Sequence, residues 1–408
     1  MASQAARLRR FKAAMEKVYG NFDDIANWTV PPQSGNAGHR GRYLWTDAFG
    51  VVNFVSLRHA TGEERYLEAA ARLVQAVHDT LGRTRDGSSQ LPGASDAEPL
   101  KGGLRIGKVD EAGPDGDGQY HHYLTLWMFA LSCLAVASED VRYNDLAIQL
   151  AKAIHPRFVV HKNGGIGELS MVWKISCDMG RPLSRSKGHL DDVTGYAVFE
   201  RLDSVARWFG QKDEQPLQAE IEQYWNMMTR SRPLKSSTDM LDLGMSLWVA
   251  QFHSRRGDDD LLRELGAHGH GIARRVFVEQ RNGPYSILHK SAGRRLAFRE
   301  LGACLGIKCY AKDADDLVAS ADTLVEFWED HVEESTPEDL VAITQVMLAA
   351  ALIPGGEIAD RVIQCVLRLT PAQLLICPAL MGDSWKTPPE DFPWPRDWEE
   401  PRYTRNWV

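Results

Sequence analysis

The residue types best suited to chemistry are concentrated in residues 113–123, which lead directly into an apolar stretch. This segment reads Gly-Pro-Asp-Gly-Asp-Gly-Gln-Tyr-His-His-Tyr, and its alternating glycines permit positive φ angles and a close approach of the backbone to a ligand. Because the polar side chains precede or open one predicted helix, they can point into a common cavity. The candidate site residues here are Asp115, Asp117, Gln119, Tyr120, His121 and His122.

A second acidic cluster, Asp191-Asp192, follows His189 at another predicted helix start. We expect Asp117 and Asp192 to form a catalytic pair, helped by His121, in which one carboxyl is protonated and acts as acid while the other is ionised and acts as base. The alternative is that Asp117, and either Asp191 or Asp192, only cap helix N-termini. His189 is a candidate substrate ligand beside this pair.

Polar and aromatic residues also surround the start of the first long apolar segment, at residues 38–47. Tyr43 and Asp47 share one helix face by the i, i+4 rule, and that face could look into a cavity. The alternative is that Asp47 complements the helix N-terminus and pairs with Arg42. The candidate substrate-binding residues of this segment are His39, Arg42, Tyr43, Trp45 and Asp47.

Further candidates lie in the other long connections, where each could instead be structural. Arg294 could hold a carboxylate through two hydrogen bonds, as a uronic acid would require. The remaining candidate substrate-binding residues are Trp173, Tyr196, Asp239, Tyr285, His289 and Trp385.

The same segments do not form a convincing metal site. Asp-Gly-Asp-Gly at 115–118 is similar to part of a calcium loop, but the alternation of ligands over twelve residues and the final Glu are missing. The rings of His121 and His122 leave a helix about 100° apart, so they cannot easily bind one zinc ion together. We therefore predict neither a metal nor another cofactor.

The elements that carry these residues follow one recurring pattern: a long apolar segment, a short polar break with Gly or Asp, and an amphipathic segment. Helical hairpins of this kind must stack on neighbours to bury both faces, so we predict an all-α fold, an (α/α)6 toroid with at most small β-hairpins in its loops. In a toroid the long connections meet at one end. The six copies span residues 43–81, 119–155, 191–229, 238–276, 293–332 and 336–369.

We expect residues 1–408 to form a single barrel domain. Residues 1–20 form an N-terminal helix, and the tail 381–408, rich in Trp and Pro, packs on the barrel. The basic residues at 7–12 are also compatible with a transit peptide, but Glu16 interrupts the basic pattern and favours an ordinary helix. Weak strand signals occur at 103–106 and 158–161.

Two of the polar breaks are alike in detail, reading Thr-Gly-Glu-Glu-Arg-Tyr-Leu at 61–67 and Val-Arg-Tyr-Asn-Asp-Leu-Ala at 141–147. With six hairpins and loops rich in Trp, Asp and Gly, residues 40–370 resemble the six-hairpin glycosidase-like superfamily. That superfamily includes unsaturated glucuronyl and rhamnogalacturonyl hydrolases and, more distantly, N-acylglucosamine 2-epimerases. No catalytic motif of one family matches closely, so the resemblance implies the fold more than the reaction.

Composition narrows the class of function. A formal net charge of -8, with scattered basic residues, argues against nucleic acid as a partner, and no apolar run is long enough to span a bilayer. The six cysteines lack a Cys-x-x-Cys spacing, which favours free thiols in a reducing compartment, the cytoplasm. We expect a small-molecule substrate, a saccharide, with a homodimer possible.

The leading hypothesis is a hydrolase of glycosides or unsaturated uronides. The first alternative is an isomerase, epimerase, lyase or dehydratase that acts on a sugar or a hydrophobic small molecule and moves a proton through His121 or His289. The second is a non-catalytic helical scaffold. Carboxylates and Arg lining the cavity would favour sugars, whereas Met, Phe and Cys177 would favour a hydrophobic substrate.

Overall fold

The structure is a computed structural model that describes residues 4–32, 42–113, 116–161, 168–211, 215–252, 261–281, 286–287 and 291–354, with only the backbone of Arg294. The helices in this part are α1 Gln4–Tyr19, α2 Leu44–Thr61, α3 Arg65–Leu81, α4 His121–Ser138, α5 Val141–Phe158, α6 Asp191–Trp208, α7 Gln218–Arg230, α8 Met240–Ala250, α9 Leu261–Ala273, α10 Ala297–Tyr310, α11 Asp315–Ser335 and α12 Val341–Leu352. A π-helical turn, Arg274–Glu279, extends α9. The strands are β1 Gln119–Tyr120, β2 Val159–His161, β3 Leu169–Met171 and β4 Lys174–Ile175.

Within the described residues, short polar breaks join α2 to α3 and α4 to α5 at the predicted places. Helix α2 ends at Thr61, where Gly62 takes the left-handed conformation (φ 74°) and donates its N–H to the carbonyl of Arg58. Helix α5 begins after Asp140, whose side chain accepts a hydrogen bond from the N–H of Arg142. The pairs α2/α3, α4/α5, α6/α7, α8/α9 and α10/α11 each pack together.

The even-numbered helices form an inner ring. Each of α2, α4, α6, α8, α10 and α12 contacts the next, and α12 contacts α2, which closes the circle. Residues 124–135 of α4 and 342–352 of α12 are all buried, as expected of helices surrounded by protein on every side. An outer helix such as α3 buries Leu73 and Val77 but exposes Gln75 and Asp79. The predicted all-α toroid is therefore confirmed.

The sixth outer position differs from the simple hairpin prediction. Helix α12 packs against α1, so the N-terminal helix occupies that position. The second half of the predicted hairpin 336–369 lies beyond residue 354, outside the described residues, as does the tail 381–408. The basic residues of α1 face the acidic helix α11 through the ion pairs Arg7–Asp322, Arg10–Glu329 and Lys17–Glu333.

In the part of the chain that the structure describes, the strands form two short antiparallel pairs, β1 with β4 and β2 with β3, and two isolated bridges join Arg83 to Gln90 and Ile175 to Pro182. The signal at 158–161 corresponds to β2, whereas 103–106 forms no strand. None of the described helices has both the length and the apolarity needed to cross a bilayer.

Candidate active site

A cavity of about 300 Å³ lies inside the ring, at the end where the inner helices begin. All six inner helices contribute to it, chiefly with residues of their first turns. Segments far apart in sequence thus meet at one end of the toroid. The lining residues are Tyr43, Trp45, Lys108, His122, Tyr123, Thr125, Leu126, Gly188, His189, Leu190, Asp191, Thr194, Val198, Leu241, Asp242, Met245, Trp248, Phe298, Leu340 and Ile343.

Asp191, the first residue of α6, places a buried carboxylate at this cavity. Its Oδ2 accepts a hydrogen bond from the N–H of Gly188 (2.6 Å), and its Oδ1 lies 3.6 Å from Nδ1 of His121 and 3.9 Å from Nδ1 of His122. Burial alone would raise the pKa of Asp191, but the two histidines and the Gly188 N–H outweigh burial, and the net pKa is lowered. Asp191 is therefore kept ionised.

Asp242, in the first turn of α8, is the second carboxylate of the cavity. Burial raises its pKa and the nearby charge of Asp239 adds to this effect, whereas His189, Arg299 and a hydrogen bond with Ser237 oppose it. The net pKa of Asp242 is raised. Two carboxylates of one cavity thus have pKa values shifted in opposite directions, the arrangement that separates an acid from a base.

Two histidines line the same cavity. His122 packs edge-on against Trp45 and Tyr123, with ring centroids 5.9 Å and 4.9 Å away. Burial lowers the pKa of His122, and the opposing charge of Asp191 does not restore it, so the ring is neutral near pH 7. The Nε2 of His189 lies 2.8 Å from the carbonyl oxygen of Lys235, which it reaches as a donor. Each ring lines the cavity and can form a hydrogen bond with a ligand there.

His121 is fully buried and does not line the cavity. Its Nε2 lies 2.8 Å from the hydroxyl of Tyr224 on α7, while its Nδ1 faces Asp191. The ring of Tyr224 fits here because residue 195 of α6 is glycine: a Cβ at Gly195 would lie 2.5 Å from Cζ of Tyr224. His121 can therefore position Asp191, but in this arrangement it cannot touch a ligand in the cavity.

Asp117, predicted as a catalytic carboxylate, lies outside the cavity lining and is 2% exposed. Its carboxylate accepts hydrogen bonds from Arg85 (2.8 Å), Arg105 (3.1 Å) and the N–H of Gly107 (3.0 Å). Arg85 also donates to the carbonyl of Lys108 (3.0 Å). Asp117 thus anchors the segment that presents Lys108 to the cavity, and this geometry does not favour a catalytic role.

Asp192 is buried as well and is not among the lining residues. Its Oδ2 pairs with the ammonium of Lys187, and its Oδ1 accepts from the N–H of Val193 (3.2 Å). Adjacent residues of a helix point about 100° apart. When Asp191 faces the cavity, Asp192 must therefore face away from it.

Most other predicted residues near the cavity have structural contacts. Asp47 pairs with Arg42 (2.9 Å) and accepts from the hydroxyl of Tyr19 (3.0 Å), which is the alternative considered for this segment. Asp239 caps α8 by accepting from the N–H of Leu241 (3.0 Å), and it also pairs with Arg299 (2.6 Å). These carboxylates hold helix starts in place rather than facing a ligand.

The connection before α4 is held by similar contacts. Gln119 is buried and donates to the carbonyls of Gly102 (2.9 Å) and Cys177 (2.7 Å). The Tyr120 hydroxyl donates to the carbonyl of Gly116 (2.8 Å), and its ring packs edge-on against Trp173. On α6, Tyr196 is likewise buried, against Trp225. None of these four predicted residues (Gln119, Tyr120, Trp173 and Tyr196) is among the lining residues.

The structure brings Tyr43, Trp45, His122 and His189 of the predicted set together at the cavity. Sequence reasoning missed Lys108 and considered Asp191 only as a helix cap; it noted Asp242 beside Asp239 at the start of the fourth hairpin but did not select it. The predicted residues outside the described part are His39, Asp115, Tyr285, His289 and Trp385, together with the side chain of Arg294.

Comparison with known proteins reveals similarity of structure only. No protein-family model matches the sequence, and no curated protein matches it by sequence. A family 76 glycoside hydrolase from a bovine Bacteroides thetaiotaomicron strain has a TM-score of 0.55 at 12% identity, covering 88% of this chain and 78% of that chain. A sugar epimerase from a ruminal bacterium has a TM-score of 0.52 at 12% identity, covering 85% and 98%.

A third solved structure, cellobiose 2-epimerase from Spirochaeta thermophila, has a TM-score of 0.50 at 13% identity, covering 89% of this chain and 100% of that chain. At such low identity the likeness concerns the backbone and not the site. The chain therefore shares the (α/α)6 fold with these glycoside hydrolase and epimerase structures.

Proposed function

We propose that the cavity is the active site of a glycoside hydrolase, in which Asp242 is the general acid and Asp191 the general base. The observation that carries the proposal is that two carboxylates with opposite pKa shifts line one cavity. The fold shared with a glycoside hydrolase is compatible with this chemistry. It does not by itself assign the reaction.

In the proposed reaction, protonated Asp242 donates its proton to the glycosidic oxygen as the bond from that oxygen to the anomeric carbon breaks. Asp191 accepts a proton from the attacking water, whose oxygen forms the new bond to the anomeric carbon. Each carboxyl ends in the opposite protonation state, and proton exchange with solvent resets the pair. Attack by water from the far side inverts the anomeric configuration.

The aromatic residues of the cavity support a sugar ligand. Tyr43, Trp45 and Tyr123 offer ring faces and edges that can pack on the apolar face of a pyranose. Lys108, whose ammonium lies 4.5 Å from the centre of the Tyr43 ring, adds a hydrogen-bond donor. The substrate would therefore be oriented by stacking and by a few polar contacts.

A second candidate, a sugar isomerase or epimerase, is favoured by the two histidines of the same cavity. A neutral His122 could remove a proton from a sugar carbon, and His189 could return one on the opposite face. Two epimerase structures share the fold. The scaffold hypothesis is the weakest of the three, because the inner helices close around a cavity with acidic groups instead of forming an open concave surface.

Solvent isotopes separate the two reactions. The protein is incubated with a panel of disaccharides and aryl glycosides in H₂¹⁸O and, separately, in D₂O, and the products are analysed by mass spectrometry and ¹H NMR. Hydrolysis places ¹⁸O at the anomeric carbon and initially gives the inverted anomer. Epimerisation instead places deuterium on a sugar carbon without cleavage, and it would overturn the hydrolase proposal.

Substitutions test the assigned residues. Asp242→Asn and Asp191→Asn should each lower kcat by about 10²- to 10⁴-fold, which is the range for loss of an acid or base group. Asp79→Asn, an exposed residue of α3, is the matched control and should leave kcat unchanged. Full turnover by either cavity variant would remove that residue from its proposed role. Retained anomeric configuration would instead make Asp191 a nucleophile.

A further inference from the structure

On α4, α6 and α8 the titratable residues of the cavity wall lie in the first turn and apolar residues follow deeper, whereas the wall residues of α10 and α12 are apolar from the first turn. On α6 the lining residues run from Asp191 through Thr194 to Val198, and on α8 from Asp242 to Trp248. At 1.5 Å per residue, the deepest of these lie about 10 Å from the carboxylates. The polar groups thus stand near the starts of α4, α6 and α8, and the apolar groups lie deeper on these helices and in the first turns of α10 and α12.

The deeper region offers few hydrogen bonds. The Thr125 hydroxyl faces the carbonyls of His121 and His122, each 3.2 Å away, and the Thr194 hydroxyl donates to the carbonyl of Leu190 (2.9 Å). Both hydroxyl protons are therefore used by the helices. Helices α10 and α12 add only apolar residues to the wall. The apolar region includes Leu126, Val198, Met245, Trp248, Phe298 and Ile343, and further leucines line the wall at helix starts, namely Leu190, Leu241 and Leu340.

A sugar placed against this region would lose hydrogen bonds to water without replacing them, at a cost for every buried hydroxyl. An apolar group placed there would gain by leaving water. The volume of about 300 Å³ is at the lower end of the range for small-molecule sites, so the ligand is small rather than polymeric. The two parts of the cavity therefore fit two chemically different parts of one ligand.

Building on the proposed hydrolase function, we propose that the substrate is a glycoside of one sugar with an apolar aglycone. The sugar ring lies beside Asp191 and Asp242, and the aglycone lies against Val198 and Met245, which are deeper on α6 and α8, and against the ring of Phe298 in the first turn of α10. The bond to be cleaved then lies at the boundary between the polar and apolar regions, where Asp242 can protonate the oxygen that leaves with the aglycone.

The test is a binding series with the Asp242→Asn variant, in which turnover should be slowed about 10²- to 10⁴-fold. The ligands are n-alkyl β-D-glucosides and α-D-mannosides from methyl to hexyl, with n-hexanol as a sugar-free probe. Binding is followed by calorimetry and by intrinsic tryptophan fluorescence, to which Trp45 and Trp248 in the cavity wall contribute. The dissociation constant should fall about fourfold for each added methylene in at least one series.

Two substitutions by polar residues of similar size test whether the dependence of affinity on chain length arises in the apolar region. Val198→Thr and Met245→Gln should weaken binding of the hexyl glycoside by about tenfold or more and leave the methyl glycoside unchanged, with thermal unfolding as a check that both variants fold. Chain-length independence in both series, or no binding of any member, would overturn the proposal. If hexanol binds as tightly as the hexyl glycosides, the sugar contributes nothing to binding, and the proposal that a sugar lies beside the carboxylates is overturned.

The outcome is separable from that of the hydrolase proposal. Affinity that depends on chain length, with no cleavage by the unaltered protein, supports the amphipathic ligand and rejects hydrolysis. Cleavage of methyl and hexyl glycosides with equal kcat/KM supports hydrolysis and rejects the apolar aglycone.

Discussion

Nδ1 of the buried His121 lies 3.6 Å from Oδ1 of Asp191, across the boundary between helices α4 and α6. On the other side of the His121 imidazole, the Tyr224 hydroxyl lies 2.8 Å from Nε2 of His121. If Tyr224 donates to Nε2, the proton of the imidazole is on Nδ1, where it faces the carboxylate. The three residues, from helices α4, α6 and α7, thus form a row that ends at the cavity.

We expect Tyr224→Phe to disturb this row without opening the cavity. Loss of the hydroxyl leaves Nε2 of His121 unpaired, at a cost of about 1–3 kcal/mol in unfolding free energy. His121 then holds Asp191 less firmly, and the pKa of Asp191 rises toward its ordinary value. The acidic limb of the pH dependence of kcat/KM should shift to higher pH.

Tyr143→Phe, a half-buried tyrosine of α5, is the control and should leave that limb in place. If Tyr224→Phe lowers stability but leaves the acidic limb unmoved, His121 and Tyr224 contribute to packing only.

Replacement of Asp117 by Asn should reduce stability more than activity. The carboxylate lies between Arg85 and Arg105, and removal of one partner of a buried ion pair costs about 3–5 kcal/mol. Denaturant unfolding should show this loss, while kcat per folded molecule should change little because Asp117 does not reach the cavity. If the denaturant midpoint of Asp117→Asn is unaltered and turnover is abolished, Asp117 has the catalytic role that the sequence suggested.

Helix α1 should behave as an integral part of the ring. The ring of Phe11 is fully buried, so Phe11→Ala should lower the free energy of unfolding by about 3–5 kcal/mol. The exposed Arg9 on the same helix provides the control, since Arg9→Ala should change the free energy of unfolding by less than about 0.5 kcal/mol. A dispensable presequence would tolerate both substitutions equally, as measured by urea denaturation.

The raised pKa of Asp242 predicts a pH-dependent gain of stability in Asp242→Asn. A carboxyl whose pKa is higher in the folded state contributes stability at low pH, and this contribution is lost as the pH rises through the folded pKa. Because Asn does not titrate, the melting temperature of the variant relative to the unaltered protein should increase from pH 4 to pH 7. A constant difference would mean that burial does not shift this carboxyl.

Much of the architecture could be predicted because hairpins leave local signals. The break at 61–66 has a glycine that can end one helix and charged residues that can begin the next, and the helices end and begin there. The sixth outer position could not be predicted in this way. It is filled by α1, which is more than three hundred residues from α12 in the chain, and no local pattern encodes that contact.

The site was predicted less well for a geometric reason. Asp191 and Asp192 are adjacent, and which of them faces the cavity depends on the rotation of α6, which a shift of one residue changes by about 100°. The glycine-rich segment before α4 drew attention to His122, which lines the cavity. It also favoured Asp117, because the sequence does not show that Arg85 and Arg105 lie on either side of that carboxylate.

The central claim, that Asp191 and Asp242 act as base and acid, is tested most directly by the pH dependence of kcat/KM for the unaltered protein and for Asp242→Asn. Activity requires ionised Asp191 and protonated Asp242, so the profile should be bell-shaped with an acidic optimum. In Asp242→Asn the alkaline limb should disappear from the residual activity. An alkaline limb that persists unchanged at full activity would contradict the claim.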